Sequence, residues 1–263
     1  MQRSIMRARA WSLSLIVLAC GRPDVSTEKV PAGWTATQPV DPESQAAMCA
    51  NAARDEWSVS LAPDSTQLVI QPAHVARFGD TTRVAGGRLT AEDHGEFGGD
   101  VWWHPDSGAR VHVARTNLHT FIQARDTVWG LTGLAHMSLN TGQLVRFDRV
   151  AGRWQMMPVA DLGAAPEAVI HLSHDTLLVL AVERVIRISP THSVELLHAN
   201  PVWGRTYPTS IARDREGLIY LGMRSGVARL TPRANGYSED WLVPTNCRRR
   251  MPSGALRDCR CVG

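Results

Sequence analysis

The sequence predicts an all-β chain, a β-propeller of about five four-stranded blades (four or six also fit). Two observations lead there. First, a short meander recurs: Thr209–Pro232 reads as strands Ser210–Arg213, Leu218–Gly222 and Val227–Thr231, joined by the turns Asp214-Arg215-Glu216-Gly217 and Met223-Arg224-Ser225-Gly226. Moving back by 42 and then 41 residues sets Leu230 on Ile188 and on Phe147, and Arg229 on Arg187 and on Arg146. Second, each copy carries a third strand reading apolar-x-Arg-apolar and a fourth strand after it (Trp154–Val159, Val194–His198, Tyr237–Val243). Four strands in such a repeat match the period of a propeller blade, about 40–45 residues in the WD type. A four-stranded meander cannot cover both of its faces alone, and stacking copies around an axis covers them. A β-sandwich also shows short, evenly spaced strands, but it gives no reason for the Arg register.

The register implies further equivalences. Val128-Trp129, Val169-Ile170 and Ser210-Ile211 align as first strands, and Met137, Leu178 and Tyr220 align ten residues before the third-strand end. The best copy, Asp214-x-x-Gly217-x-Ile219-Tyr220-x-Gly222-x-x-x-Gly226-Val227-x-Arg229-Leu230, resembles the propeller repeat of two-component sensor ectodomains. It is similar as well to streptogramin-lyase-like repeats. The resemblance covers this blade well and the two before it loosely. It implies a fold and transfers no functional residue.

Ahead of the repeats, Met1–Ala19 reads as a lipoprotein signal peptide. Arg3, Arg7 and Arg9 precede an apolar stretch too short for a bilayer, which needs about 20 residues. It ends Val17-Leu18-Ala19-Cys20-Gly21, which resembles a lipobox with Cys20 as the acylated residue. Gly21 after the cysteine suggests, by resemblance to the usual sorting rule, an outer-membrane address. Residues 20–41 read as a lipidated tether, since Pro23, Pro31 and Pro39 leave no periodic apolar face. Residues 42–56 read as a short helix capped by Asp41, with Pro42 in the first turn and five alanines beyond.

The propeller is expected over 57–246. Trp57–Ala62, Gln67–Pro72, His74–Phe78 and Thr82–Ala85 form a first short blade. Arg88–Thr90, Asp100–His104, Ala109–Arg115 and His119–Ala124 form a second, and the three regular blades follow from Thr127. Residues 247–263 are a Cys-rich closing tail. An exported chain meets an oxidising compartment, and the four cysteines besides Cys20 are Cys49, Cys247, Cys259 and Cys261. Cys259 and Cys261 stand too close for an easy mutual bond, so Cys49 is expected to pair with one of them and Cys247 with the other, stapling the helix to the tail. Cys259-Arg-Cys261 lacks the spacing of a zinc ribbon.

Charge narrows the partners. The chain has 28 Lys+Arg against 25 Asp+Glu, and three arginines sit in the signal segment, so the remainder is formally neutral. A neutral domain has no long-range field for nucleic acid, and the lipid anchor is the expected membrane contact. A monomer is expected, and no cofactor is implied. Propeller geometry brings the loops between second and third strands to the same face as the inter-blade connections. On that face Trp203, Arg205, Tyr207, Arg224 and Glu183 are the candidate binding residues, because Trp, Arg and Tyr dominate interface hot spots. The competing role for Trp203 is packing between blades. No nucleophile-elbow, zincin, P-loop or dinucleotide motif is present, so no catalytic residue is assigned.

The function expected is a non-catalytic, lipid-anchored cell-envelope module that binds or scaffolds a protein or envelope component. The alternatives are a hydrolase or lyase with a channel-mouth metal held by residues such as Glu167, Glu183 and His94, and a sensor-type domain for a small glycan.

Overall fold

The computed structural model describes residues 29–52, 55–63, 67–73, 79–124, 126–173 and 175–245. Four consecutive four-stranded antiparallel meanders make up most of it. Blade I holds β4 (Gly79–Val84), β5 (Gly87–Asp93), β6 (Gly99–Pro105) and β7 (Val111–Arg115). Blade II holds β8 (Leu118–Ala124), β9 (Thr127–His136), β10 (Leu139–Val150) and β11 (Arg153–Asp161). Blade III holds β12 (Pro166–Ser173), β13 (Thr176–Ala181), β14 (Arg184–Ile188) and β15 (Val194–Ala199). Blade IV holds β16 (Ser210–Arg213), β17 (Ile219–Met223), β18 (Gly226–Arg233) and β19 (Gly236–Pro244), and gains β1 (Trp34–Thr37) outside β19. A two-stranded hairpin, β2 (Trp57–Leu61) with β3 (Leu68–Pro72), packs on blade IV and is the fifth unit. The helices among the described residues are short: α1 (Gln45–Ala52), α2 (Trp203–Thr206) and a 3-10 turn at Gly95–Phe97.

Each blade hides its faces on its neighbours. Leu89 and Val101 of blade I meet Leu118 and Phe147 of blade II. Ile122, Leu131 and Leu144 of blade II meet Leu177, Val179 and Ile186 of blade III. The alternate residues of β13, Leu178 and Leu180, face the other way, onto Ile211, Ile219 and Leu221 of blade IV. Tyr220 and Val227 then cover Val59 of the hairpin. A strand covered on both faces reads as an unbroken apolar run, which is why β13 and β17 are buried almost end to end.

The repeat holds where its register was anchored. Phe147, Ile188 and Leu230 lie on the third strands β10, β14 and β18, opposite Val128, Leu177 and Ile219. The arginine has a partner in each copy. Arg187 and Arg229 sit directly opposite Glu195 and Asp240 on the fourth strand and form ion pairs with them. Arg146 faces Met157 and instead takes Asp148 on its own strand, at 2.8 Å. The Asp-x-x-Gly signal is a hairpin lock: Asp214 Oδ1 accepts the Leu218 N–H at 2.9 Å, and Gly217 takes φ 91°.

Several boundaries move. Thr82–Ala85 does not close the first unit, since β4 is the inner strand of blade I; residues 74–78 lie outside the described ones. His119–Ala124 is likewise β8, the inner strand of blade II, and Val128-Trp129 belongs to its second strand. Met137 falls in a turn, with φ 54°, and Trp129 is the true equivalent of Leu178 and Tyr220, each facing its blade's arginine. The cause is one hairpin. The β13–β14 and β17–β18 pairs turn over Val182-Glu183 and Arg224-Ser225, whereas β9–β10 carries Gly133–Gly142 beyond the equivalent Thr132–Gln143 pair.

The tether reading also fails in part. Trp34–Thr37 adds a strand to the open edge of β19, with Trp34 and Ala36 packing on the blade IV–hairpin core. Lys29 anchors the segment further, 3.0 Å from Asp214 and 2.8 Å from Glu216. At the helix, Ser44 rather than Asp41 caps α1: its Oγ accepts the Ala47 N–H at 3.2 Å, while Asp41 Oδ1 takes the Glu43 N–H at 2.9 Å. Cys49 of α1 is buried, 3 % exposed. Residues 1–28 with Cys20, and Cys247, Cys259 and Cys261, lie outside the described residues.

Candidate functional site

The inner strands of the four blades all start on one face, where the inter-blade connections arrive. Their first residues surround a cavity of about 410 Å³ at the channel mouth, lined by Asp80, His119, Thr120, Glu167 and Ser210 over an apolar ring that includes Leu131, Val169 and Ile211. One blade supplies Asp80, the next His119 and Thr120, the third Glu167 and the fourth Ser210. The volume suits a small ligand, since typical pockets span about 300–1,000 Å³.

The polar groups of this mouth are fixed by hydrogen bonds within and between blades. Asp80 Oδ2 accepts the Thr120 hydroxyl at 2.9 Å and the Phe121 N–H at 2.6 Å, and its Oδ1 accepts the Thr81 N–H at 2.7 Å. His119 Nε2 lies 3.1 Å from the Gly133 carbonyl, so it donates there. Ser210 Oγ accepts the Val59 N–H at 2.9 Å, joining blade IV to the hairpin. The mouth is therefore a preformed ring of oriented acceptors and hydroxyls. Asp80 and His119 escaped the sequence reading because β4 and β8 were counted as outer strands. Aligning Asp80, His119, Glu167 and Ser210 as inner-strand starts is the signal that finds them.

The residues expected on the rim do gather, around α2. Trp203 is 0 % exposed and wedges between blades III and IV, which makes it a packing residue and not a contact surface. Its indole N–H donates to Glu239 Oε1 at 3.0 Å, as does that of Trp241 at 2.7 Å. Asn200 Nδ2 donates to both oxygens at 3.0 Å, and His198 Nε2 stands 2.9 Å from Oε2. Burial pushes the Glu239 carboxyl upward, but these donors outweigh it and hold its pKa below the ordinary value of 4.5.

Tyr207 is 52 % exposed in a left-handed conformation, and the Arg224 guanidinium stacks over its ring at 4.0 Å. Arg224 Nε also donates to Glu56 at 2.7 Å. Arg205 reaches the Pro42 carbonyl at 3.1 Å. Glu183 sits in the β13–β14 turn against Gly204, where a Cβ would lie 2.6 Å from its Oε1. Four of these five side chains thus brace α2 and α1, and Tyr207 remains exposed with the half-buried Arg224 stacked over it. Of the residues named for a channel-mouth metal, only Glu167 lines the mouth. Among the described residues no three His, Cys, Asp or Glu side chains group to hold a metal.

Fold and site together define a β-propeller with a polar channel mouth. No protein-family model matches the chain, and no curated protein does. Among solved structures it is similar to a luciferin-regenerating enzyme, at 11 % identity over 73 % of this chain and 71 % of that one, TM-score 0.40. It is similar to virginiamycin B lyase from Staphylococcus aureus, at 9 % identity over 78 % and 73 %, TM-score 0.40. It is also similar to the extracellular domain of a hybrid two-component system from B. thetaiotaomicron, at 13 % identity over 71 % of this chain but 23 % of that one, TM-score 0.41. Function has to be read from this chain's own side chains.

Proposed function

We propose that the chain is an exported, lipid-anchored propeller that binds a cell-envelope component without chemical turnover and seats it at the channel mouth. The observation behind this is the inter-blade lock on the mouth's polar groups. Asp80 has both oxygens engaged and His119 Nε2 is tied to a backbone carbonyl, so each is held in the fixed orientation that recognition needs. The signal segment, the Cys20 context and the expected bridge from Cys49 to the tail support the export part of the reading.

The anchor is tested by acyl labelling in cells. Wild type takes up labelled fatty acid and fractionates with membranes, and Cys20→Ala does neither; unlabelled wild type would remove the anchor. The mouth is tested by photo-crosslinking to isolated envelopes with wild type, Ala168→Trp to fill the cavity and Glu167→Arg to reverse a wall charge. One specific adduct from wild type, absent from both variants at unchanged melting temperature, is expected. Equal adducts from all three would show that the ligand seats elsewhere.

A further inference from the structure

The β9–β10 hairpin of blade II extends where blades III and IV turn over two residues. Insertions in repeat proteins collect on one face, often the binding face. Gly133–Gly142 rises on the mouth face and is held firmly there. Gly133 N–H donates to the Asn117 carbonyl at 3.1 Å, and Asn140 Oδ1 accepts the Ala165 N–H at 2.8 Å. His136 lies 2.9 Å from Glu96, tying the extension to the β5–β6 loop of blade I. Gly133 itself lies so close to the next connection that a Cβ would stand 2.6 Å from Pro166 Cδ.

Between the extension and that loop lies a second cavity of about 540 Å³, lined by Glu96, Arg115, Thr132, Thr141, Gln143 and Asp161. Asn117, also in its lining, is 7 % exposed. Its Nδ2 donates to the Gly95 carbonyl at 2.6 Å, which fixes the β5–β6 loop along the cavity. The wall carries two carboxylates, a guanidinium, an amide and hydroxyls. Gly98, Gly99, Gly133 and Gly142 let a ligand approach the backbone closely. Such a mixture of signs does not select a phosphate or a charged peptide. It matches a neutral ligand with many hydroxyls, each able to donate and accept. Next to the cavity, Phe97 and Met137 are exposed and offer apolar faces to the C–H side of a sugar ring.

We infer that this cleft binds a neutral saccharide chain, with Thr141 and Gln143 on the wall of the extension as its hydroxyl partners. The inference rests on the reading above only in taking the propeller to be a binding module. The test is calorimetry on the otherwise full chain carrying Cys20→Ala, with neutral tetrasaccharides of glucose, galactose and N-acetylglucosamine as probes. At least one binds, and the pair Thr141→Val with Gln143→Ala weakens it by about tenfold or more, while Glu167→Arg at the mouth changes it by less than about threefold. A variant with Gly133–Gly142 replaced by Asn-Gly, the length of the sister turns, keeps the melting transition and loses the ligand. If no probe binds wild type, or if only Glu167→Arg abolishes binding, the cleft assignment is overturned. The second of those outcomes leaves the mouth reading standing, and the crosslinking result decides the mouth independently.

Discussion

Asp240→Ala is expected to lower stability by about 3–5 kcal/mol, the range for removing one member of a buried ion pair. Arg229 is 0 % exposed, and its Nε and Nη2 donate to the two Asp240 oxygens at 2.8 Å each. Removing the carboxylate takes two charge-assisted hydrogen bonds from a guanidinium that is fully buried. For a domain of this size a loss of that order lowers Tm by roughly 10 °C or more. The sister pair supplies the control. Arg187 and Glu195 hold the same register but stand about half exposed, so Glu195→Ala should cost less than about 1 kcal/mol. Replacing both Arg229 and Asp240 by Met and Leu should recover much of the loss, because the desolvation cost disappears with the charges. Urea titrations of the three variants decide the matter, and equal small losses for Asp240→Ala and Glu195→Ala would refute it.

Glu239→Ala is expected to be the second most damaging change, at about 3 kcal/mol or more, since buried donors lose their common acceptor together. The side chains of Trp203 and Trp241 are fully buried and their indole N–H groups point at one oxygen. The loosened element is α2, which carries Arg205 and leads into Tyr207, so the rim should become mobile as blades III and IV part. The pH dependence has a definite sign. The folded carboxyl has a lowered pKa, so its contribution is fully present above the unfolded value near 4.5 and is lost as pH falls through the folded value. Wild type should therefore lose stability below about pH 4.5 more steeply than Glu239→Gln, whose group does not titrate. Parallel melting curves for the two from pH 6 to pH 3 would show that the carboxylate is not held in its charged form.

Much of the architecture was legible because a repeated unit leaves repeated marks. Leu230, Ile188 and Phe147 each end the buried part of a third strand, and the arginine beside them recurs because the neighbouring strand places an acid opposite it in two of the three copies. The first two units were harder to read. β8 is joined to β9 by so short a turn that its place as the inner strand of a new blade leaves no gap in the hydrophobic pattern. The rim was half legible: Trp203, Arg205, Tyr207, Arg224 and Glu183 do converge, but hot-spot composition cannot tell a tryptophan facing a partner from one wedged between sheets. Glu239 decides that, and it is 36 residues away along the chain.

The amino-acid order alone determined the class of fold, the meander unit and its Asp-x-x-Gly turn. Those depend on neighbours along one strand or across one hairpin, where period-two patterning and turn chemistry act locally. Only the tertiary structure decided which side chains meet at the mouth, which arginine is buried, and that Trp34–Thr37 completes a sheet edge. Those outcomes depend on which blade leans on which. Arg187 and Arg229 have the same local pattern, yet one is half in water and the other fully enclosed, a difference that neighbours along one strand cannot set.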